Sequence, residues 1–166
     1  YCCTYPMPDS GIENITNAPI IVDSLGHLSA ASPCIGSGAS SYSSGTADLD
    51  GDAWKSPPSI GCDEYIMASA TGSLAVALQA EYTRVVSGTV LDLAGSVYGH
   101  ALSNRWNLGD GTLVANAMNT SHTWLNPGIF EVTFTAYNLD HPSGVTFTQT
   151  IEVLSEAEGT YYVWTN

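Results

Sequence analysis

From Leu74 onward the chain alternates apolar side chains with polar, often hydroxyl-bearing ones at a period of two. LAVALQAEYTRVV sets Leu74, Val76 and Leu78 on one face, and TVLDLAGSV sets Leu91 and Leu93 opposite Asp92. GIFEVTFTAYN opposes Phe130, Val132, Phe134 and Ala136 to Glu131, Thr133, Thr135 and Tyr137. GVTFTQTIEV opposes Val145, Phe147, Ile151 and Val153 to Thr146, Thr148, Thr150 and Glu152. Successive side chains of a strand point to opposite faces, so this rhythm predicts strands with one face buried against a second layer. Ser87-Gly88, Gly109-Asp110-Gly111, Asn126-Pro127-Gly128 and His141-Pro142-Ser143-Gly144 punctuate the run as turns. Short strands with regular turns predict an all-β fold, an Ig-like β-sandwich over residues 74–155.

Upstream the rhythm is missing. Residues 1–66 are rich in Pro, Gly and Ser, hold only brief apolar runs such as Ile20-Ile21-Val22, and contain all four cysteines. A stretch so rich in loops buries little core by itself and needs staples or a neighbour to lean on. Small residues over 67–73 read as a linker, and 156–166 as a tail.

Charge narrows the function. Hydrophobic residues make up 44% of the chain and charged ones only 11%, so Ser, Thr, Asn and Gly must form the surface, as suits an extracellular or cell-surface protein. Lys55, Arg84 and Arg105 are the basic residues against 16 acidic ones, a net charge of −13. That balance cannot neutralise phosphates, which excludes nucleic acid as a partner. An anionic membrane surface repels it, and no apolar run reaches the roughly 18 residues needed to insert into a bilayer. The chain opens on Tyr1 instead of Met, which reads as a processed or excised chain.

Cys2, Cys3, Cys34 and Cys62 form no CxxC pair, which argues against a metal site. Adjacent Cys2 and Cys3 would strain the peptide between them if bonded. Two disulfides are expected, either Cys2–Cys34 with Cys3–Cys62 or Cys2–Cys62 with Cys3–Cys34, in an oxidising compartment. Neither His27 nor His100 lies in a context that would activate a cysteine nucleophile.

Asp110 sits between two glycines after a strand carrying Trp106, where a short acid bonds the backbone of a corner. Asp48, Asp50 and Asp52 have the spacing of calcium-loop ligands, but an EF-hand would need Gly and Glu where Ala53 and Ser59 stand. A turn of solvated acids is the expectation there, with a looser calcium site at Asp48, Asp50 and Asp52 as the alternative; no other cofactor is expected. Asn14-Ile15-Thr16 and Asn119-Thr120-Ser121 are glycosylation sequons. GSGASSYSSGT reads as a flexible loop.

Two resemblances enter on these residues. NRWNLGDGT, SHTWLNPGIFEVTFTAYN and TFTQTIEV together resemble the PKD (polycystic kidney disease) domain over about Gly72 to Leu154. Leu108 stands for the usual Phe, Trp124 for a Tyr and Phe130 for another Tyr. The resemblance implies an Ig-like sandwich that serves as a spacer or adhesive module, or as an accessory of secreted hydrolases, and is rarely catalytic. It also implies that His122 and Trp124 are packed. Upstream, NITNAPIIVD, SPCIGSG, TADLDGDAW and IGCDEY resemble the closing segment of bacterial surface proteins built on a right-handed parallel β-helix, with Gly36 in place of a common Asp. Without preceding coil rungs, the apolar face of such a segment would be covered by the sandwich, by another part of the protein or by another copy. In similar proteins a tail like GTYYVWTN introduces a further coil, so Tyr161, Tyr162, Val163 and Trp164 are candidates for pairing with a sheet edge of another copy.

The expected function is a non-catalytic extracellular structural module that joins copies of itself head to tail into a filament or array. One alternative is an adhesive or carbohydrate-binding module using Tyr5, Tyr42, Trp54 or Tyr98 as sugar platforms. Another is an accessory piece of a secreted polysaccharide-degrading enzyme. No carboxylate pair or nucleophile–base pair stands out in the chain.

Overall fold

The computed structural model describes Cys3, residues 7–42 and residues 45–155. Its strands are β1 (Ala75–Ala80), β2 (Arg84–Val86), β3 (Val90–Tyr98), β4 (Ser103–Asn107), β5 (Leu113–Ala115), β6 (Asn119–Thr123), β7 (Gly128–Tyr137) and β8 (Val145–Leu154). They form two sheets, in the order β1-β3-β6 and β2-β8-β7-β4-β5. Every pairing is antiparallel except that of β2 with β8. The chain crosses from the first sheet to the second at 81–83, between β1 and β2. The fold is therefore an all-β sandwich.

The alternating positions meet between the sheets. Leu78, Leu91, Leu93 and Val97 face Trp106, Val132, Phe134, Ala136, Ile151 and Val153, all buried in one cluster. Burying each such side chain contributes about 1.5–3 kcal/mol. The Trp106 and Phe134 rings lie 4.4 Å apart at the centre. Gly95 lies on the core-facing side of β3, where a Cβ would run into the Phe134 ring. The alternation fails in two places. Thr135 is buried and satisfies its hydroxyl against Thr146 at 2.8 Å. Phe147 pairs in register with buried Phe134 yet is 38% exposed.

Before β1 the described chain has only short 3-10 turns at Ser40–Tyr42 and Met67–Ser69 and isolated bridges such as Ile21↔Leu28 and Ala47↔Ala53. Val22 nevertheless enters the sandwich core with no exposed surface. Hydrogen bonds flank it: Asn104 Nδ2 donates to the Val22 carbonyl, the Ser24 N–H to the Val97 carbonyl, and Asn116 Nδ2 to Ser29 Oγ. The joint at 67–73 is tied down as well. Gly72 N–H donates to Asp140, Asn138 Nδ2 to the Gly72 carbonyl, and Leu139 N–H to the Ala70 carbonyl.

No disulfide is formed among the described residues. Cys3, Cys34 and Cys62 carry free thiols, and Cys2 lies outside the described residues. Burial, with the Cys3 thiol beside it, pushes the Cys34 thiol up to about 11. Among the described residues, buried Val22 and the hydrogen bonds around it hold this segment to the sandwich.

Candidate functional site

The contacts between the segment and the sandwich centre on Asp23. Directly after buried Val22, its Oδ1 accepts the N–H groups of Leu25, Gly26 and His27 at 3.0–3.2 Å, which closes the chain into a tight turn. Its Oδ2 accepts the Ala101 N–H at 3.0 Å and the Nδ1–H of His27 at 2.5 Å. A short acid that captures its own downstream amides is the ordinary way to build such a turn. Here the second oxygen is left to bind across to the sandwich.

The Asp-rich turn completes the arrangement. Asp48 Oδ1 accepts the N–H groups of Asp50 and Asp52, and its Oδ2 accepts that of Glu64. This projects Asp50 toward His27, whose Nε2 lies 2.6 Å from Asp50 Oδ2. His100, between β3 and β4, places Nδ1 at 3.2 Å from the same oxygen. The two imidazoles stack with centroids 3.8 Å apart and planes 8° from parallel. Asp63 lies close behind, accepting the Leu28 N–H.

Electrostatics follow from this geometry. Burial alone would lower His27, but the hydrogen bond and charge of Asp23, joined by Asp50, raise it to about 9. The ring is therefore an imidazolium at neutral pH, held between two carboxylates. Burial would likewise raise Asp23, yet His27 and the Ala101 amide outweigh it and hold the carboxyl below its ordinary range. For Asp63 burial wins, and its carboxyl is pushed up despite the Leu28 amide and the nearby histidines.

The residues singled out from sequence fall as follows. Of the acids Asp48, Asp50 and Asp52, Asp48 accepts three backbone amides and Asp50 faces the two histidines. Among the described residues the one group of His, Cys, Asp and Glu gathered closely enough to hold a metal ion is His27, Asp50 and His100. Asp110 sits at the corner between β4 and β5, where Oδ1 accepts the Thr112 N–H at 2.9 Å. Its Oδ2 lies 2.7 Å from His122 Nε2, and the His122 ring packs edge-on against Trp124. Burial would raise Asp110, but Thr112 and His122 hold it below the usual carboxylate range. Asn14 is half-buried and donates to the Ser10 carbonyl at 3.3 Å, whereas Asn119 is exposed on β6. Tyr98 is 60% exposed and Trp54 half-buried. Tyr5, the Tyr42 ring and the tail residues Tyr161, Tyr162, Val163 and Trp164 lie outside what is described.

A second feature lies on the outer face of the three-stranded sheet. Gln79, Ala94 and Asn119 form one cross-strand row, with Asp92 and Ser121 in another. With Glu81 at the rim they line an open groove of about 500 Å³ whose floor is the small side chain of Ala94.

The sandwich has recognisable relatives. Residues 71–150 match the family model of the PKD domain. Solved structures similar to part of the chain include three. One is of carbohydrate-binding modules from the β-sandwich superfamily, at 17% identity and TM-score 0.46, covering 51% of this chain and 36% of that one. The PKD1 domain of Vibrio anguillarum Epp aligns at 17% identity and TM-score 0.38, covering 50% and 98% of the two chains. The PKD domain of the human VPS10 domain-containing receptor SorCS2 aligns at 21% and 0.41, covering 61% and 97%. This chain thus spans about a third of the first and nearly all of the other two. No curated protein sequence matches it. Within the matched residues, Trp106 and Trp124 are buried, each donating its indole N–H to a carbonyl, of Ala117 and of Leu108. No described helix is long and apolar enough to cross a membrane.

Sequence reasoning missed the Asp23–His27–Asp50–His100 cluster. One local signal was present: an acid four residues before a histidine, with Gly26 between them to close the turn. The other members come from distant stretches that only the fold brings together.

Proposed function

We propose that the chain is a non-catalytic extracellular structural module whose segment and PKD-type sandwich act as one stiff unit in a filament or surface array. The observation that carries this reading is the buried seam. Asp23 and His27 are 2% and 1% exposed; Asp23 binds the segment to the Ala101 amide and His27 stacks on His100, while Val22 fills the sandwich core. Several of the acids fasten backbone. Glu64, also buried, accepts the N–H and Oγ–H of Ser59, and Asp48 holds three amides. β1 and β6 border the three-stranded sheet and have no strand on their outer sides among the described residues. β1 reads Ala-Val-Ala-Leu-Gln-Ala, without a charge to discourage an added strand. Electron microscopy and light scattering of native material test assembly: filaments or arrays are expected, and a monodisperse monomer at every concentration refutes it. Protease shaving of intact cells tests the extracellular placement, with loss of the protein expected.

A second reading rests on the groove. Planar amides and carboxylates on an open sheet face suit hydroxyl-rich ligands, and Tyr98 extends the same outer row of β3. In this reading the module adheres to glycans. Binding on a glycan array that disappears in the Gln79→Ala/Asn119→Ala variant supports it, and silence across a broad array refutes it.

A further inference from the structure

His27, Asp50 and His100 come from three separate stretches of chain, yet one ligand atom from each lies within 4.8 Å of the others. His27 is nearly inaccessible, and Asp23 holds its Nδ1 at 2.5 Å, which fixes the tautomer and aims Nε2 at Asp50. A carboxylate behind an imidazole is the arrangement that orients metal-binding histidines and raises their basicity. We propose that these three residues form a binding site for a zinc-type divalent transition-metal ion. Its ligands are His27 Nε2, His100 Nδ1 and a carboxylate oxygen of Asp50, and Asp23 is the positioning residue behind His27.

The donor set selects the ion. Two imidazole nitrogens and one carboxylate suit zinc and its neighbours, whereas calcium and magnesium take all-oxygen shells. Charge also balances: Asp23 and Asp50 together supply two negative charges for a dication. Loading breaks the Nε2–H···Oδ2 bond between His27 and Asp50, releases that hydrogen to solvent as a proton, and turns Asp50 from acceptor into ligand.

The spacing requires one adjustment. Ligand atoms about 2.0–2.1 Å from a tetrahedral ion lie roughly 3.3 Å apart. The Asp50–His100 separation of 3.2 Å already meets this, and the Asp50–His27 separation of 2.6 Å must widen. The stacked rings cannot both aim at one point, so one of them tilts. His100, with a 17% exposed side chain, is freer to do so than His27 at 1%. Asp50 is 31% exposed, which leaves the fourth position open to water.

The test uses the whole chain, washed with chelator and kept reduced. It is titrated with zinc by calorimetry and with cobalt(II) by absorption spectroscopy. A single saturable site is expected, with visible cobalt bands of nitrogen–oxygen coordination. The His100→Ala variant, shown to be folded by circular dichroism, is expected to bind at least about ten-fold more weakly. Asp50→Asn, which keeps an oxygen facing His27, replaces it if His100→Ala does not fold. The absence of saturable binding overturns the proposal. So does a sulfur-to-cobalt charge-transfer band, which would assign the ion to the cysteines, or an unchanged affinity in the folded variant.

Discussion

Replacing Asp23 with Ala probes the seam directly, because several bonds depend on two oxygens. The amides of Leu25 and Gly26 lie toward the surface, where water can take over from Oδ1. Those of His27 and Ala101 are buried and lose their acceptor, at about 1–3 kcal/mol each. The buried His27 imidazolium is left facing Asp50 alone, and removing one partner of a buried ion pair costs roughly 3–5 kcal/mol. These contributions share the same atoms and do not add, so the expected loss of stability is about 3–5 kcal/mol in total. Asp50→Ala is the internal comparison. Asp50 is 31% exposed and water can replace it, so about 1–2 kcal/mol is expected there. Urea unfolding followed by the emission of buried Trp106 and Trp124 measures both variants. A loss below about 1 kcal/mol for Asp23→Ala, or equal losses for the two variants, refutes the assignment of the seam to Asp23.

Three further outcomes are expected from the structure. With chelator present, the His27 contribution is complete below its unfolded value near 6.5 and fades as pH rises toward about 9. The ceiling of about 3 kcal/mol falls to about 1–2 kcal/mol after allowing for the exposed Asp50 side, and a His27→Gln variant that declines equally over this range would contradict it. Gly95→Ala drives a methyl group into the Phe134 ring and should cost about 1–3 kcal/mol in thermal or urea unfolding, so an unchanged midpoint would argue against that packing. Under oxidising conditions, peptide mapping without reductant should find Cys3 joined to Cys34, its neighbour here, and a Cys2–Cys34 link would point to the other pairing.

The sandwich was legible because its information is local. Val132, Phe134 and Ala136 alternate with polar partners, and that alternation alone specifies which face is buried. Thr135 escaped the reading because its burial depends on Thr146 across the strand pair, a contact without a period. The segment before β1 was harder, since its order comes from carboxylates capturing amides at long range. Asp63 binds the Leu28 amide and Asp23 the Ala101 amide, and spacing gives no hint of either. The role of the Asp48–Asp52 motif was hidden for a related reason. The geometry that lets alternate carboxylates surround calcium also lets one of them organise the turn and another reach a histidine.

The parallel pairing of β2 with β8 has a mechanical consequence. Arg84 to Val86 run alongside Glu152 to Leu154, tied further by Glu152 N–H to Thr83, Ser87 N–H to Leu154, and the Arg84–Glu152 ion pair at 2.7 Å. Tension entering ahead of β2 and leaving after β8 drags the two strands in opposite directions along a shared axis. The rungs between them are then sheared together, whereas a hairpin pulled from its open end unzips one rung at a time. A chain stretched along this line yields at a rate set by that simultaneous rupture.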